Sequence, residues 1–332
     1  MRIALVVGVI AALLYGPAEA DYADREDVQA FIQEMVSTHG FDKAELVRVF
    51  QEAEQQPKIL ESIARPAEKA LKWFEYRRIF MQEKRIDRGI EFWEQNAAAL
   101  DRALKQFDVS PEYVVGIIGV ETLYGQNVGS YRVVDALATL GFDYPPRATF
   151  FRRELSELLL LAREEETDPL DLKGSYAGAM GFGQFIPSSY RAYAIDFDGD
   201  GKRDIWTNID DAIGSVASYL ARHGWKGQEP VVLQVGEPTT KAMSIVNEGF
   251  IKSQTVAVLK EKGVEFGEDD LDVSGRAALY RMDLEEGAEY WAGLNDFYVI
   301  TRYNRSPMYA LAVHQLSQEI KTRREQQLAA RQ

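Results

Sequence analysis

Apolar residues recur at helical spacing along much of this 332-residue chain. Between Asp24 and Ala103 glycines are few, and the pattern places on one helix face a set of side chains that includes Val28, Phe31, Ile32 and Met35. This period indicates amphipathic helices. We therefore predict a mainly α-helical protein that begins with a helical lobe at 21–103, in a chain long enough for two or three lobes.

The same period continues in three later segments. A Pro/Gly-rich connection at 141–147 separates the first two of them and is typical of a surface loop. The predicted helices run from Pro111 to Tyr124, from Phe150 to Glu166 and from Met308 to Lys321.

After Trp225 the pattern changes to short β-rich runs that alternate with helical stretches. We predict a small α+β insertion at 228–298, set into a core of residues 104–227 that the chain re-enters at 299–332. The β-rich runs are Val231–Val235 and Phe297–Thr301, and the helical stretches are 239–247 and 253–262.

The first twenty residues have the order of a secretory signal peptide. Arg2 precedes an apolar run from Ile3 to Tyr15, and an Ala-Glu-Ala site ends at Ala20. A membrane anchor is the alternative, but the run is shorter than the ~20 residues of a spanning helix. We expect export, with a signal peptide at 1–20 that is removed.

The chain contains no cysteine and has a net charge of −14. Disulfides, a lipid-bearing Cys and a Cys-ligated metal are therefore excluded. So acidic a protein is a poor match for nucleic acid or an anionic membrane. We expect a soluble extracytoplasmic protein that is not a lipoprotein and has no stable membrane insertion.

Glu121 ends a helical run in which Val114, Ile117 and Ile118 lie on the same face. Its carboxyl is therefore expected to be partly buried. Burial, and a position near the helix C-terminus, would raise its pKa and keep it protonated as a general acid requires. The alternative is a structural Glu paired with a buried Arg.

A glycine-rich stretch runs from Gly174 to Tyr190. Glycines permit sharp turns or close approach of a ligand, and Ser175 and Gln184 supply neutral groups that can read sugar hydroxyls and acetamides. A structural turn is the alternative.

An acidic segment begins at Asp196 and resembles the start of an EF-hand calcium loop. The pattern fails at position twelve, which is Thr207, so Asp210 or Asp211 would have to close an enlarged loop at 196–211. We expect a structural Ca²⁺ and no organic cofactor. The remaining candidate ligands are Asp196, Asp198, Asp200 and the backbone carbonyl of Lys202.

Taken together, these segments resemble the lytic murein transglycosylase B family. The matching segments occur in family order and span most of the chain outside the leader. They are Gly119–Gly125, Gly174–Tyr190, Asp196–Trp206, Asp211–Tyr219 and Val299–Asn304.

The resemblance implies a lysozyme-like helical core, a periplasmic location and Glu121 as the catalytic acid/base. It implies that Asp211 belongs to the calcium loop, although simple spacing also allows Asp210. Where the family often has a Pro-Arg-Arg motif, this chain has Pro145-Pro146-Arg147, so Arg147 is the one arginine of the motif that is present. The residues that would line the glycan groove are Ser175, Gln184, Tyr219, Tyr303 and Asn304, with Tyr76 and Phe150 as further candidates.

The family's reaction needs one carboxylate, because the C6 hydroxyl of N-acetylmuramic acid replaces water and yields a 1,6-anhydro product. A muramidase with Asp135 or Asp143 as its second carboxylate is the alternative enzyme. Two non-enzymatic interpretations also stay open, a peptidoglycan-binding scaffold without activity and a calcium-dependent structural module. The expected partners are glycan strands and cell-wall synthesis or remodelling proteins, and the expected state is a monomer.

Overall fold

The computed structural model describes residues 22–64, 71–227, 230–250, 253–267, 272 and 274–331. The predicted signal peptide at 1–20 lies outside this part. The chain divides into two compact units, Met1–Glu54 and Gln55–Gln332. The finer division made from the sequence stays a prediction.

The first unit contains the helices α1 (Glu26–His39) and α2 (Lys43–Glu52). Their apolar faces pack together, and the rings of Phe31 and Phe50 meet edge to face with centroids 5.8 Å apart. The carboxylate of Asp42 accepts a hydrogen bond from the Glu45 N–H and caps α2. The helical spacing of apolar residues therefore correctly predicted that this unit is built from helices.

The second unit contains the remaining helices of the described chain, and 59% of the described residues are helical, which confirms the predicted mainly α class. Its helices are α3 (Pro57–Ile63), α4 (Trp73–Phe80), α5 (Glu83–Gln95), α6 (Ala97–Phe107), α7 (Pro111–Thr122), α8 (Val133–Asp143), α9 (Ala148–Glu164), α10 (Pro187–Tyr193), α11 (Ile209–Arg222), α12 (Thr240–Met243), α13 (Val256–Glu261), α14 (Asn295–Tyr303) and α15 (Pro307–Ala330).

Two small antiparallel sheets complete the second unit. One pairs β1 (Tyr131–Arg132) with β2 (Lys173–Gly174). The other has the strand order β3-β6-β5-β4 and covers its own apolar cluster with α12 and α13. Its strands are β3 (Val232–Val235), β4 (Gln254–Thr255), β5 (Arg276–Asp283) and β6 (Ala288–Gly293).

Helix α7 is the centre of the second unit. Val114, Val115, Ile117 and Ile118 are fully buried, and α15, α5, α6 and α11 surround the helix. An apolar helix enclosed on all sides is held in place by its packing. The segment that carries Glu121 therefore has a fixed position in the core.

Two local predictions were wrong. The run Phe297–Thr301 is helical, within α14, because a helix buries Phe297, Val299 and Ile300 together, and this packing overrides β propensity. The 141–147 connection is not a loop throughout, because α8 continues to Asp143 and 145–147 form a 3-10 turn. The helices at 239–247 and 253–262 are shorter than predicted.

The packing around α7 predicts that Gly119→Ala destabilises the protein. A Cβ at Gly119 would lie 2.4 Å from the Tyr124 hydroxyl, which is held in the core. The expected loss is about 1–3 kcal/mol of unfolding free energy, measured by chemical denaturation. Gly236→Ala is the control, since a Cβ there meets no atom within 4 Å. Equal stability of the two variants would contradict the prediction.

Candidate active site

The end of α7 is fixed by hydrogen bonds on both sides of Glu121. The Arg85 guanidinium donates to the Gly119 carbonyl. The Thr122 hydroxyl lies 3.0 Å from the Phe182 carbonyl oxygen and accepts from the Gly125 N–H at 3.0 Å. These contacts join the helix terminus to the glycine-rich stretch and place Glu121, half-buried as predicted, at the surface of the core.

Tyr309 contacts the Glu121 carboxyl directly. Its hydroxyl donates to Glu121 Oε1 over 2.6 Å. Burial, and then the Glu121 carboxylate, raise the pKa of Tyr309 well above its ordinary value, so that it remains a hydrogen-bond donor. No local sequence pattern indicates this residue, because it comes from the first turn of α15.

A cleft of about 910 Å³ opens beside Glu121. Among the described residues that line it, Glu121 is the only carboxylic acid. Four arginines line the same cleft, so its local charge is opposite to that of the whole chain. These arginines are Arg147, Arg153, Arg302 and Arg305.

One wall of the cleft is an aromatic cluster. The rings of Tyr219 and His223 stack with centroids 4.1 Å apart, and Tyr193 and Tyr303 lie beside them. The hydroxyls of Tyr219 and Tyr303 donate to the carbonyls of Arg302 and Gly183, both over 2.6 Å. Burial raises the pKa of Tyr219 to about 12 and lowers that of His223, so the wall favours neutral rings.

Gln184 enters the cleft from a backbone in the left-handed region, with a φ of 51°. Its side-chain nitrogen donates to the carbonyls of Val128 and Gly181 at 3.1 and 3.0 Å. The amide orientation is thereby fixed, and Oε1 remains as an acceptor. The turn needs Gly181, because a Cβ there would lie 2.4 Å from the Ile205 carbonyl oxygen.

The structure brings together most of the residues that the sequence singled out. Seven of them line the cleft: Glu121, Arg147, Phe150, Gln184, Tyr219, Tyr303 and Asn304. The Arg147 guanidinium lies 4.4 Å from the Phe150 ring centroid and so packs on its face.

Two predicted groove residues lie outside the lining of the cleft. The Ser175 hydroxyl accepts from the Ala179 N–H at 3.0 Å and closes the glycine-rich turn. Tyr76 is buried on α4, where it packs against Phe80 and lies close enough to Tyr309 to raise the pKa of that residue.

The acidic loop gathers three carboxylates. Oxygens of Asp196, Asp198 and Asp211 lie within 4.8 Å of one another. Asp211 is fully buried and accepts from the N–H groups of Phe197 and Asp204 at 2.7 and 2.8 Å. An all-oxygen set of this kind fits a hard cation such as Ca²⁺.

The other two predicted carboxylate ligands, Asp200 and Asp210, lie outside this group. Asp210 forms an ion pair with Arg102 over 2.8 Å and therefore points away from the cluster. Asp200 accepts from the Lys202 N–H at 2.9 Å. Of the two residues that could close the loop, the structure thus brings Asp211 into the cluster.

A sequence model described as the transglycosylase SLT domain matches residues 23–318. The chain belongs to this family. The transglycosylase is 43% identical over 310 residues to the membrane-bound lytic murein transglycosylase B of Escherichia coli strain K12, covering 90% of this chain and 84% of that protein.

Several solved structures are similar to this transglycosylase, among them one from Pseudomonas aeruginosa and one from Escherichia coli. The catenated lytic transglycosylase SltB1 of Pseudomonas aeruginosa is 51% identical, with a TM-score of 0.87, over 92% of this chain and all of that one. The Escherichia coli lytic transglycosylase Slt35 in complex with calcium is 42% identical, with a TM-score of 0.83, over 92% and 95%. These matches confirm the predicted family, the enzyme class and the lysozyme-like fold.

The contact between Tyr309 and Glu121 predicts that Tyr309→Phe lowers kcat of the transglycosylase more than it changes KM. The variant loses one hydrogen bond that orients the carboxyl, worth roughly tenfold to a hundredfold in rate. Turnover of soluble glycan strands measures it. Tyr113→Phe is the control, since the Tyr113 hydroxyl contacts His314 Nδ1 at 2.9 Å, away from the cleft. Equal kcat in both variants would contradict the orienting role.

Proposed function

We propose that this transglycosylase cleaves the β-1,4 bond between N-acetylmuramic acid and N-acetylglucosamine in peptidoglycan and leaves a 1,6-anhydro end. The observation that carries the proposal is the single carboxylic acid among the described residues that line the cleft. Glycoside hydrolysis commonly uses two carboxyl groups, whereas intramolecular attack by a substrate hydroxyl needs one.

In the first step, protonated Glu121 donates its proton to the glycosidic oxygen. The bond between that oxygen and C1 of N-acetylmuramic acid breaks, and N-acetylglucosamine leaves with a free 4-hydroxyl. In the second step, the Glu121 carboxylate takes the proton of the C6 hydroxyl of N-acetylmuramic acid. The oxygen of that hydroxyl then bonds to C1 of the same sugar. The acid form is thereby restored, and no water is consumed.

The hydrogen bond from Tyr309 supports both steps, because it fixes the orientation of the Glu121 carboxyl. The attacking hydroxyl is already part of the substrate, so proximity replaces the ordering of a free water molecule. The N-acetyl group can stabilise the positive charge that develops at C1.

The remaining cleft residues suit the same substrate. The fixed acceptor Oε1 of Gln184 matches the N–H of an acetamide, and the aromatic cluster of Tyr219 and Tyr303 forms an apolar wall beside the sugars. The cleft arginines match the carboxylates of peptidoglycan. Asn304 and Phe150 complete the proposed groove. Ser175 and Tyr76 do not line the cleft and would stabilise the segments that form it.

The muramidase alternative lacks its second carboxylate at the cleft. Asp135 is buried against Arg132 Nε at 2.7 Å, and Asp143 accepts from the Gln55 amide at 2.9 Å. Neither residue lines the cleft. A purely binding protein would not require Tyr309 to orient the Glu121 carboxyl.

We propose a periplasmic protein, exported by the predicted signal peptide at 1–20. The Escherichia coli relative is membrane-bound, as its name states, whereas this chain has no cysteine that could carry a lipid. Among the described residues, no helix has the length and apolar character needed to cross a membrane. The monomeric state and the cell-wall partners stay predictions.

We also propose that Asp196, Asp198 and Asp211 bind Ca²⁺. The geometry of the three carboxylates and the calcium complex of the Slt35 relative support this assignment. Bringing the three negative charges together costs energy that a divalent cation offsets. The cation would hold the loop against the first turn of α11, which carries Asp211, and so would have a structural role.

The mechanism predicts that Glu121→Gln abolishes release of muropeptides with 1,6-anhydro ends, because an amide neither donates nor takes the required proton. We expect a loss of at least about a thousandfold. Mass spectrometry of digested peptidoglycan measures the products. Glu112→Gln, on the same helix but paired with Lys321, is the control and should remain active. Reducing ends from the wild type would favour the muramidase.

The calcium site predicts that Ca²⁺ raises the melting temperature of the wild type and not that of Asp211→Asn. At a hundredfold excess over Kd the stabilisation is about 2.7 kcal/mol. Asp210→Asn is the matched control, and it should respond to Ca²⁺ as the wild type does. Thermal unfolding in EDTA and in CaCl₂ measures the effect. An unchanged response of Asp211→Asn would exclude this residue as a ligand.

A further inference from the structure

The chain just after Glu121 has a strained backbone. Leu123, Tyr124 and Gly125 follow one another with φ angles of 51°, 58° and 83°. The first two are not glycines, and each costs roughly 1–2 kcal/mol in this left-handed region. Strain of this kind persists only where the surrounding structure holds it, and it is concentrated at functional sites. The contacts that hold this turn therefore bear on how Glu121 is placed.

The Tyr124 side chain fills a slot between α5 and α7. Its hydroxyl oxygen lies so close to both helices that a Cβ at Gly89 or Gly119 would come within 2.5 or 2.4 Å of it. Its ring packs against Phe92, with centroids 5.4 Å apart. Two glycines thus make room for one tyrosine, and the buried tyrosine fixes the middle of the strained turn.

Arg85 reaches the same place from α5. Its guanidinium donates to the Gly119 carbonyl at the end of α7 and lies 5.3 Å from the Phe80 ring centroid. Burial lowers the pKa of Arg85, and the neighbouring Tyr124 hydroxyl acts in the opposite sense. Among the described residues, no carboxylate forms an ion pair with this guanidinium. The arginine is thus held by a carbonyl, a ring and a hydroxyl.

This arrangement is costly for the fold. Arg85 Nε and the Tyr124 hydroxyl are buried, and neither has a hydrogen-bond partner in the described part of the chain. A buried polar group without a partner costs about 1–3 kcal/mol, and a buried charge without a counter-ion costs more. Methionine and phenylalanine would fill the same space without these costs. A role in the adjacent site accounts for both polar groups, whereas packing alone requires neither.

We propose that Arg85 is a positioning residue for Glu121 and that Tyr124 keeps its guanidinium in place. The inference rests on the proposed function, in which Glu121 acts as acid and then as base. Gly119 comes two residues before Glu121, and the strained turn begins two residues after it, so these contacts hold the backbone on both sides. The positive charge also offsets the helix dipole, which disfavours a carboxylate at the carbonyl end of a helix.

The test compares Arg85→Met, which removes the guanidinium, with Arg85→Lys, which keeps a positive charge and a donor. For Arg85→Met we expect kcat on soluble glycan strands to fall roughly tenfold to a hundredfold, with KM within about twofold of the wild type. Arg85→Lys should recover most of the lost kcat. Because Arg85→Met removes a buried charge, its unfolding free energy, measured by chemical denaturation, should not fall.

Arg324→Met is the matched control. The Arg324 guanidinium lies 4.8 Å from the Trp93 ring centroid, and its Nε is likewise buried without a partner among the described residues. Arg324 does not line the cleft, so the control should keep the kcat of the wild type. Tyr124→Phe, which keeps the ring and removes the hydroxyl, should lower kcat selectively by roughly threefold to tenfold.

Three results would overturn the inference: an unchanged kcat in Arg85→Met, a loss no larger than the loss of folded protein, or no recovery in Arg85→Lys. If Arg85→Met does not fold, an unchanged kcat in Tyr124→Phe overturns it instead. The wild type and Glu121→Gln separate this inference from the proposed function. Absence of anhydro products from the wild type, or full activity of Glu121→Gln, would overturn the proposed function, whereas a normal kcat in the Arg85 and Tyr124 variants overturns the positioning role alone.

Discussion

The burial of α7 is the constraint on which the rest of the structure depends. Between Glu112 and Glu121 the helix is almost wholly buried, and Thr122 and Arg85 secure its last turn, so Glu121 is carried to the cleft by a rigid element. The proposed catalysis by a single carboxyl requires such a support, because the same group would have to face two different oxygens of the substrate in turn. The hydrogen bond from Tyr309 then fixes the side chain itself.

Residues whose role depends on their immediate neighbours could be predicted from the sequence. Glu121 ends an apolar helical run, Gln184 lies in a glycine-rich turn, and the carboxylates of Asp196 and Asp198 follow loop spacing. Each pattern is local, and the segment folds as its own residues dictate. The mainly helical class followed for the same reason, since the period of apolar residues persists over long segments.

Other features depend on packing between distant segments, and the sequence could not reveal them. Tyr309 meets Glu121 only because α15 packs along α7. Simple spacing left Asp210 and Asp211 both open as the residue that closes the loop, and the ion pair of Asp210 with Arg102 joins segments that are far apart in the chain. The β-rich run at 297–301 became a helix because the core buries one face of it, and no local pattern carries that information.

The left-handed backbone of Gln184 has a consequence for how this site can change. A residue other than Gly in that region costs roughly 1–2 kcal/mol, but the Gln184 amide also donates hydrogen bonds to the carbonyls of Val128 and Gly181. A glycine at this position would relieve the backbone strain and remove both hydrogen bonds, so the two effects offset each other in the free energy of unfolding. The strained glutamine is therefore kept in place by its own side chain, and a gain in thermostability must come from elsewhere in the fold.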